Sequence, residues 1–342
     1  MKQLLILALA ALLAGCETLS YYSQAIGGHL KLVSAARPLD DWLADPGTPA
    51  DLRGRLELAQ RIRAFASRSL ALPDNGSYNS YADLDRPYVV WNVFAAAEFS
   101  VEPRQECFPF TGCVAYRGFY DEKDARRHAE KLRGRGYDVH VGGVPAYSTL
   151  GWFDDPLLST FIRYPDTQLA RLVFHELAHQ VAYAKNDTTF NESFAVVVEE
   201  TGVKRWLEVE GRAAELESFR AAQARKHRFA ARVKQARDRL AEVYAAGLPR
   251  EALVRAKREE FDRLRAEYGA IIPAEPNNAF LVSIALYSEL VPAFERLLAG
   301  QQGDLGRFYE KVRALAALDK AGRTLALGQR DVDELEKRRP GA

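Results

Sequence analysis

His175-Glu176-Leu177-Ala178-His179 sets two imidazoles four residues apart with a carboxylate between them. On an α-helix four residues advance by about 400°, so both rings leave one face and can close on a single cation. Zinc accepts neutral imidazole nitrogen and carboxylate oxygen, and a zinc site that does chemistry keeps three protein ligands so that the fourth position can admit water. Glu176, about 100° around the helix from His175, can reach that open side and take a proton from the water. The structural alternative is a pair of core histidines satisfied by hydrogen bonds, which is the weaker reading for a pair with a glutamate between them.

Such a pair needs a helix beneath it. Asp166, after Pro165, is the expected N-cap, Leu169, Leu172, Val173, Leu177 and Val181 supply an apolar stripe, and no glycine or proline interrupts the run to Lys185. A polar loop over 185–189 and an apolar run from Phe190 to Val198 predict a second helix returning antiparallel, with Thr189 or Asn191 as its cap. Glu192, thirteen residues after His179, falls in its opening turn. A carboxylate in an apolar segment needs a partner, and a cation held by two imidazoles would be one, so Glu192 is the expected third ligand. Glu199 lies seven residues further on, near the same face. It is expected to hold a ligand histidine by its other ring nitrogen, and it is the alternative third ligand. For Glu199 and Glu200 a solvated helix end is the competing reading.

The run from His175 to Gln180, followed by Asn191-Glu192-Ser193-Phe194-Ala195 and then Glu199, resembles the gluzincin metallopeptidases, in which an NEGFA-like segment supplies the third zinc ligand; Glu192 matches that ligand. The connecting loop is shorter than in the alanyl-aminopeptidase branch, and no GxMEN exopeptidase motif precedes the helix. Over nearly all of its mature length the chain resembles a bacterial lipoprotein family of predicted aminopeptidases. The residues that carry this are Leu13-Ala14-Gly15-Cys16, Tyr88-Val89-Val90-Trp91-Asn92, Cys107 with Cys113, the stretch 142–151, and Asn277-Asn278-Ala279. The resemblance implies one Zn2+ ion, a peptide substrate, and an edge strand above the metal that pairs with extended substrate. Gly142 and Gly143 would allow a peptide close approach and Pro145 would end the pairing; a plain β-turn is the alternative. A zinc peptidase also needs a donor for the oxyanion of its tetrahedral intermediate. Tyr287 is expected to be that donor, and Asn277 and Asn278 to contact substrate backbone, with helix capping as their structural reading. If free N-termini are the substrate, Asp154 or Asp155 would meet the α-ammonium.

The chain's 342 residues and 48% apolar content allow a full core, and a net charge of +1 gives no electrostatic case for nucleic acid. Lys2, the apolar run Leu4 to Leu13 and the box ending in Cys16 read as a lipoprotein signal peptide over 1–16, too short to span a bilayer. Cys16 would become the lipidated first residue, anchoring the protein to a membrane without a protein helix in it. Glu17 stands where an aspartate would resemble an inner-membrane retention signal, so by that resemblance the outer membrane, facing the periplasm, is expected. In that oxidising space Cys107 and Cys113, six apart around Pro109 and Gly112, are expected to form a disulfide; two cysteines do not complete a zinc site.

The expected fold is α+β and mainly helical, with a small mixed β-sheet whose edge strand lies over the HExxH helix and a protruding antiparallel helical hairpin. Residues 17–84 read as an N-terminal helical segment with a helix capped at Thr48. The metallopeptidase core spans 85–202, with strands around Tyr88–Phe94, Glu98–Val101, Val114–Phe119 and Tyr137–Val141 and a helix over 121–135. In 203–268 Phe229, Val233, Ala236, Leu240 and Val243 form the seam of a hairpin turning at Gly247-Leu248-Pro249. That hairpin is a solvated structural arm or the dock for a protein partner. Residues 269–342 are C-terminal helices packing on the core. Function divides between a zinc-dependent peptide hydrolase and, as the alternative, a lipid-anchored envelope scaffold with a structural zinc site closed by a fourth protein ligand.

Overall fold

A computed structural model describes residues 21–108 and 112–328. Cys16 and the export segment lie outside the described residues, as do 109–111 of the cysteine loop and the tail after Gly328. A helix over residues 21–35 (α1) leads through β1 (Arg37–Pro38) into α2 (Leu39–Ala44) and α3 (Ala50–Leu70). Then come β2 (Ser80–Ala82), β3 (Val90–Ala97), β4 (Glu106–Phe108), β5 (Gly112–Val114), β6 (Tyr116–Phe119), α4 (Glu122–Arg133), β7 (Tyr137–Val144) and β8 (Leu157–Leu158). From there the chain is helical: α5 (Asp166–Val181), α6 (Thr188–Val209), α7 (Ala213–Ala245), α8 (Arg250–Tyr268), a 3-10 turn at Gly269–Ile271, α9 (Asn278–Leu286), α10 (Val291–Gly300), α11 (Leu305–Ala316) and α12 (Lys320–Gly328). This is the mainly helical α+β arrangement that the sequence predicts.

Among the described residues the strands form three small sheets. β1 pairs antiparallel with β2, which pairs parallel with β8, and β4 and β5 make a ribbon in which Cys107 and Cys113 face each other and are joined by a disulfide. The sheet that matters for the site is antiparallel, in the order β6-β3-β7. Its central strand is covered on both faces, as its nearly unbroken apolar run Val90–Ala97 requires. Trp91, Val93 and Ala95 pack with Ala125, Ala129 and Leu132 of α4. Phe94 and Ala96, on the other face, pack with Ala279, Val282 and Leu286 of α9.

α5 and α6 are the helices that the metal motif needs, with boundaries that differ from expectation. α5 stops at Val181, because Ala182 is extended (φ −152°, ψ 137°). Asp166 does not cap it; the carboxylate is drawn outward to Arg55 (2.6 Å) and Arg212 (3.0 Å). α6 is capped by Asp187, whose side chain accepts from Phe190 N at 3.2 Å. Thr189 and Asn191 fall inside the helix, and Asn191 instead clamps the preceding loop, its amide exchanging two hydrogen bonds with Ala184 N and O (2.7 and 3.0 Å). Most of α6 is buried, as its apolar sequence demands. It approaches α5 and α3 closely at Gly202, where a Cβ would stand 2.7 Å from the Phe174 ring and 2.8 Å from Leu70. Thr48 likewise caps nothing: α3 starts after Pro49, and the threonine hydroxyl donates to Trp42 O.

The hairpin of α7 and α8 docks rather than standing clear. Leu216 and Phe219 join the main core, while Val233, Ala236 and Leu240 meet Phe261 and Leu264 of α8 and Phe280 and Leu281 of α9. Arg250 and Lys257 reach Glu98 at the end of β3, Lys257 also pairing with Asp138 of β7 at 2.6 Å. No helix among the described residues is long and apolar enough to cross a membrane.

Candidate metal centre

His175 and His179 leave one face of α5 and meet Glu192 of α6. His175 Nε2 lies 3.2 Å from His179 Nε2 and 3.3 Å from Glu192 Oε2, and His179 Nε2 lies 3.5 Å from the same oxygen. Ligands at 2.0–2.1 Å around a tetrahedral centre stand about 3.3 Å from one another, so these atoms form one face of such a tetrahedron. All three residues are buried.

Glu199, fully buried, holds the opposite side of the first histidine, with His175 Nδ1 donating to its Oε2 at 2.8 Å. Since Glu192 meets both histidines while Glu199 meets His175 and, at 3.1 Å, Arg171 one turn earlier, α5 and α6 run antiparallel. Lys226 of α7 approaches Glu199 from outside at 3.4 Å. The solvated reading of this helix end is therefore excluded: Glu199 is 0% and Glu200 2% exposed.

The charges fit a cation. Burial disfavours an imidazolium at His175, but hydrogen bonds to Glu192 and Glu199 outweigh it and push its pKa up to about 10. Burial likewise works against the Glu192 carboxylate, and the His179 and His175 rings overcome it and pull the pKa down to about 2. Glu199 is held below the usual carboxylate range, burial being outweighed by Arg171 and Lys226. The pocket is thus built to hold positive charge between two carboxylates. A cation in place of the extra proton would leave His175 neutral, with Nδ1–H given to Glu199 and the Nε2 lone pair turned, like His179 Nε2 and Glu192 Oε2, toward one metal ion. A second donor group among the described residues, Glu200, His227 and Glu295, already has the Lys226 ammonium 3.8 Å from Glu200.

Glu176 is buried, lines the cavity above the triad and makes no hydrogen bond among the described residues. Burial raises its pKa, partly countered by the His175 and His179 rings. The cavity has a volume of about 660 Å³. Its floor includes Val90 and Asn92 of β3, and its walls are aromatic: Tyr116, Tyr120, Tyr147, Trp152, Phe153 and Tyr183. Tyr287, the C-cap of α9, stacks on His175 with ring centroids 6.3 Å apart and planes at 29°. Burial and the nearby Glu192 charge hold its phenol well above the ordinary tyrosine pKa, so it stays a donor.

Other expected residues lie elsewhere. Gly143 points to the α4 face of the sheet, where a Cβ would stand 2.3 Å from the Tyr88 ring; the glycine makes room for that side chain, not for a peptide. Gly142 is on the cavity-side face beside Asn92 but is not a lining residue. Both edges of the sheet reach the cavity, β6 through Tyr116 and Gly118 and β7 through its last residue, Val144, with Ala146 to Leu150 beyond it. Asn277 and Asn278 do not reach the cavity. Asn277 caps α9, accepting from Phe280 N and donating to Val139 O, and Asn278 donates to Glu98 O and accepts from Tyr244, tying α9 to the sheet end and the hairpin. Asp155 is buried under the loop, accepts from Thr149 N at 2.9 Å and does not line the cavity; Asp154 is packed against Gly76.

The sequence reading missed Asn92, Tyr116, Tyr147 and Tyr183 as lining residues. The one signal was Asn92 itself, a lone polar residue in an apolar strand.

Residues 20–327 match the family model described as putative aminopeptidase, and the chain belongs to that family. No curated protein and no solved structure matches it.

Proposed function

We propose that the protein is a zinc-dependent peptide hydrolase, acting as an aminopeptidase in the bacterial periplasm. The observation that carries this is the face of three donor atoms, 3.2 to 3.5 Å apart, on the wall of a cavity that Glu176 also lines. Family membership supports peptide as the substrate. His175, His179 and Glu192 would hold the ion, which supplies a Lewis acid toward the scissile carbonyl and the attacking water.

The remaining work falls to the chain. Glu176 takes the proton of the attacking water and returns it to the leaving amine; burial raises its pKa, which favours its holding that proton in between. Tyr287, kept protonated, donates to the oxyanion that develops on the carbonyl. Glu199 fixes the ring of His175 through Nδ1–H, and Arg171 and Lys226 balance its buried charge. A scaffold with a structural ion would need a fourth protein ligand, and among the described residues the donor group consists of three.

The box ending at Cys16 supports a lipid anchor on the periplasmic leaflet of the outer membrane. The test is zinc-loaded protein against blocked and unblocked peptide libraries, with metal content measured in parallel. Cleavage of unblocked peptides alone is the expected result; absence of cleavage with stoichiometric zinc bound overturns the hydrolase reading.

A further inference from the structure

Asn92 is the one polar side chain on the cavity-side face of β3. It is 5% exposed, lines the cavity and makes no side-chain hydrogen bond among the described residues. The carboxamide opens onto the cavity, where a bound ligand can pair with it. Its surroundings are cleared for one. In the sheet register Asn92 faces Gly118 on β6 and Gly142 on β7, so neither strand neighbour places a side chain beside it. A Cβ at Gly118 would stand 3.2 Å from Asn92 Oδ1 and 3.1 Å from Val90 Cγ1, crowding the group from the β6 side. The cavity that it lines is largely apolar and aromatic, with Val90, Val144, Tyr116, Tyr120, Tyr147 and Phe153 in its wall. Apart from His175, Glu176, His179 and Glu192, no charged side chain among the described residues lines it.

We propose that Asn92 binds the backbone of a peptide whose residue beside the scissile bond is large and apolar, an aromatic or a branched aliphatic, and that the aromatic wall takes that side chain. This rests on the hydrolase reading above and deepens it. One carboxamide offers a donor and an acceptor, the pair that a peptide unit presents in return. A charged side chain in the same wall would lose its hydration without a counter-charge, whereas an aromatic one gains both burial and ring contacts.

The experiment uses zinc-loaded full-length protein and a fluorogenic panel beginning with Phe, Leu, Ala, Lys or Glu, with Glu176→Gln and Asn92→Ala variants. We expect kcat/KM for Phe or Leu to exceed that for Ala, Lys and Glu at least tenfold. Asn92→Ala should lower kcat/KM on the best substrate about tenfold, mainly through KM, with zinc content and melting temperature unchanged. A preference for Ala, Lys or Glu, or an Asn92→Ala variant as active as the parent, overturns the inference while cleavage lost in Glu176→Gln keeps the hydrolase reading standing. If nothing is cleaved, that reading fails. Calorimetry with Phe- and Lys-initiated tripeptides then decides the pocket: tighter binding of the Phe peptide that weakens in Asn92→Ala supports it, and equal binding overturns it. Should Asn92→Ala not fold, Asn92→Ser is read in the same assays.

Discussion

Glu199 Oε2 lies 2.8 Å from Nδ1 of His175, while Glu192, seven residues earlier on the same helix, lies 3.3 Å from Nε2 of that ring. Two turns of α6 therefore grip one imidazole from both nitrogens, and only one of the two carboxylates also faces His179. The roles of ligand and positioning group follow from that difference.

Glu192→Gln is expected to weaken zinc binding by more than about 100-fold, and Glu199→Gln by roughly 10–100-fold, the range for a group that orients a ligand. Competition with a chelator of known affinity measures both. The opposite ranking would exchange their assignments.

Glu176→Gln should bind zinc as the parent does and lose about 10²- to 10⁴-fold in kcat, the contribution of a positioned general base. Metal analysis together with peptide turnover tests it, and unchanged turnover would remove Glu176 from the chemistry.

Arg171→Met leaves the Glu199 carboxylate, 0% exposed, with Lys226 at 3.4 Å as its remaining cation. Breaking a buried pair from one side costs about 3–5 kcal/mol when nothing compensates, so with Lys226 in place a loss of about 2 kcal/mol is expected. Denaturant unfolding of the zinc-loaded variant reads this directly.

Asp155 gives a pH signature. Burial pushes its carboxyl up to about 7, against hydrogen bonds from Thr149 that favour the ionised form. Between the unfolded value near 3.8 and the folded value near 7 the folded state keeps a proton that the unfolded chain has released. Over that window Asp155 makes stability fall as pH rises, by up to ~1.4 kcal/mol per pH unit. Asp155→Asn removes the slope, so melting temperatures of parent and variant should converge at the acid end and diverge in the variant's favour by neutral pH. Parallel curves would refute the assignment.

What could be read without a structure was set by local geometry. The spacing of His175 and His179 fixes both rings on one helix face, and the thirteen-residue step to Glu192 leaves room for one short loop and one helical turn. Apolar patterning likewise marked α5, α6, β3 and the α7–α8 hairpin. Caps were less legible, since Asp166, Thr189 and Asn191 all have the right chemistry and lost to Asp187, or to Arg55 and Arg212, through contacts distant in sequence.

The substrate side belonged to tertiary structure alone. Whether Gly142, Gly143, Asn277 and Asn278 face a ligand depends on which sheet face meets α9 and on how far each edge runs along the cavity. Residue types near the motif carry no information on that. Asn92 gained its setting only when β6 and β7 brought Gly118 and Gly142 to its two sides, a juxtaposition of strands separated by intervening chain. The chain's own order determined a metal-ready pair of helices, because helical spacing is a property of neighbours; the cavity they serve was decided by packing, because its walls come from segments that meet only on folding.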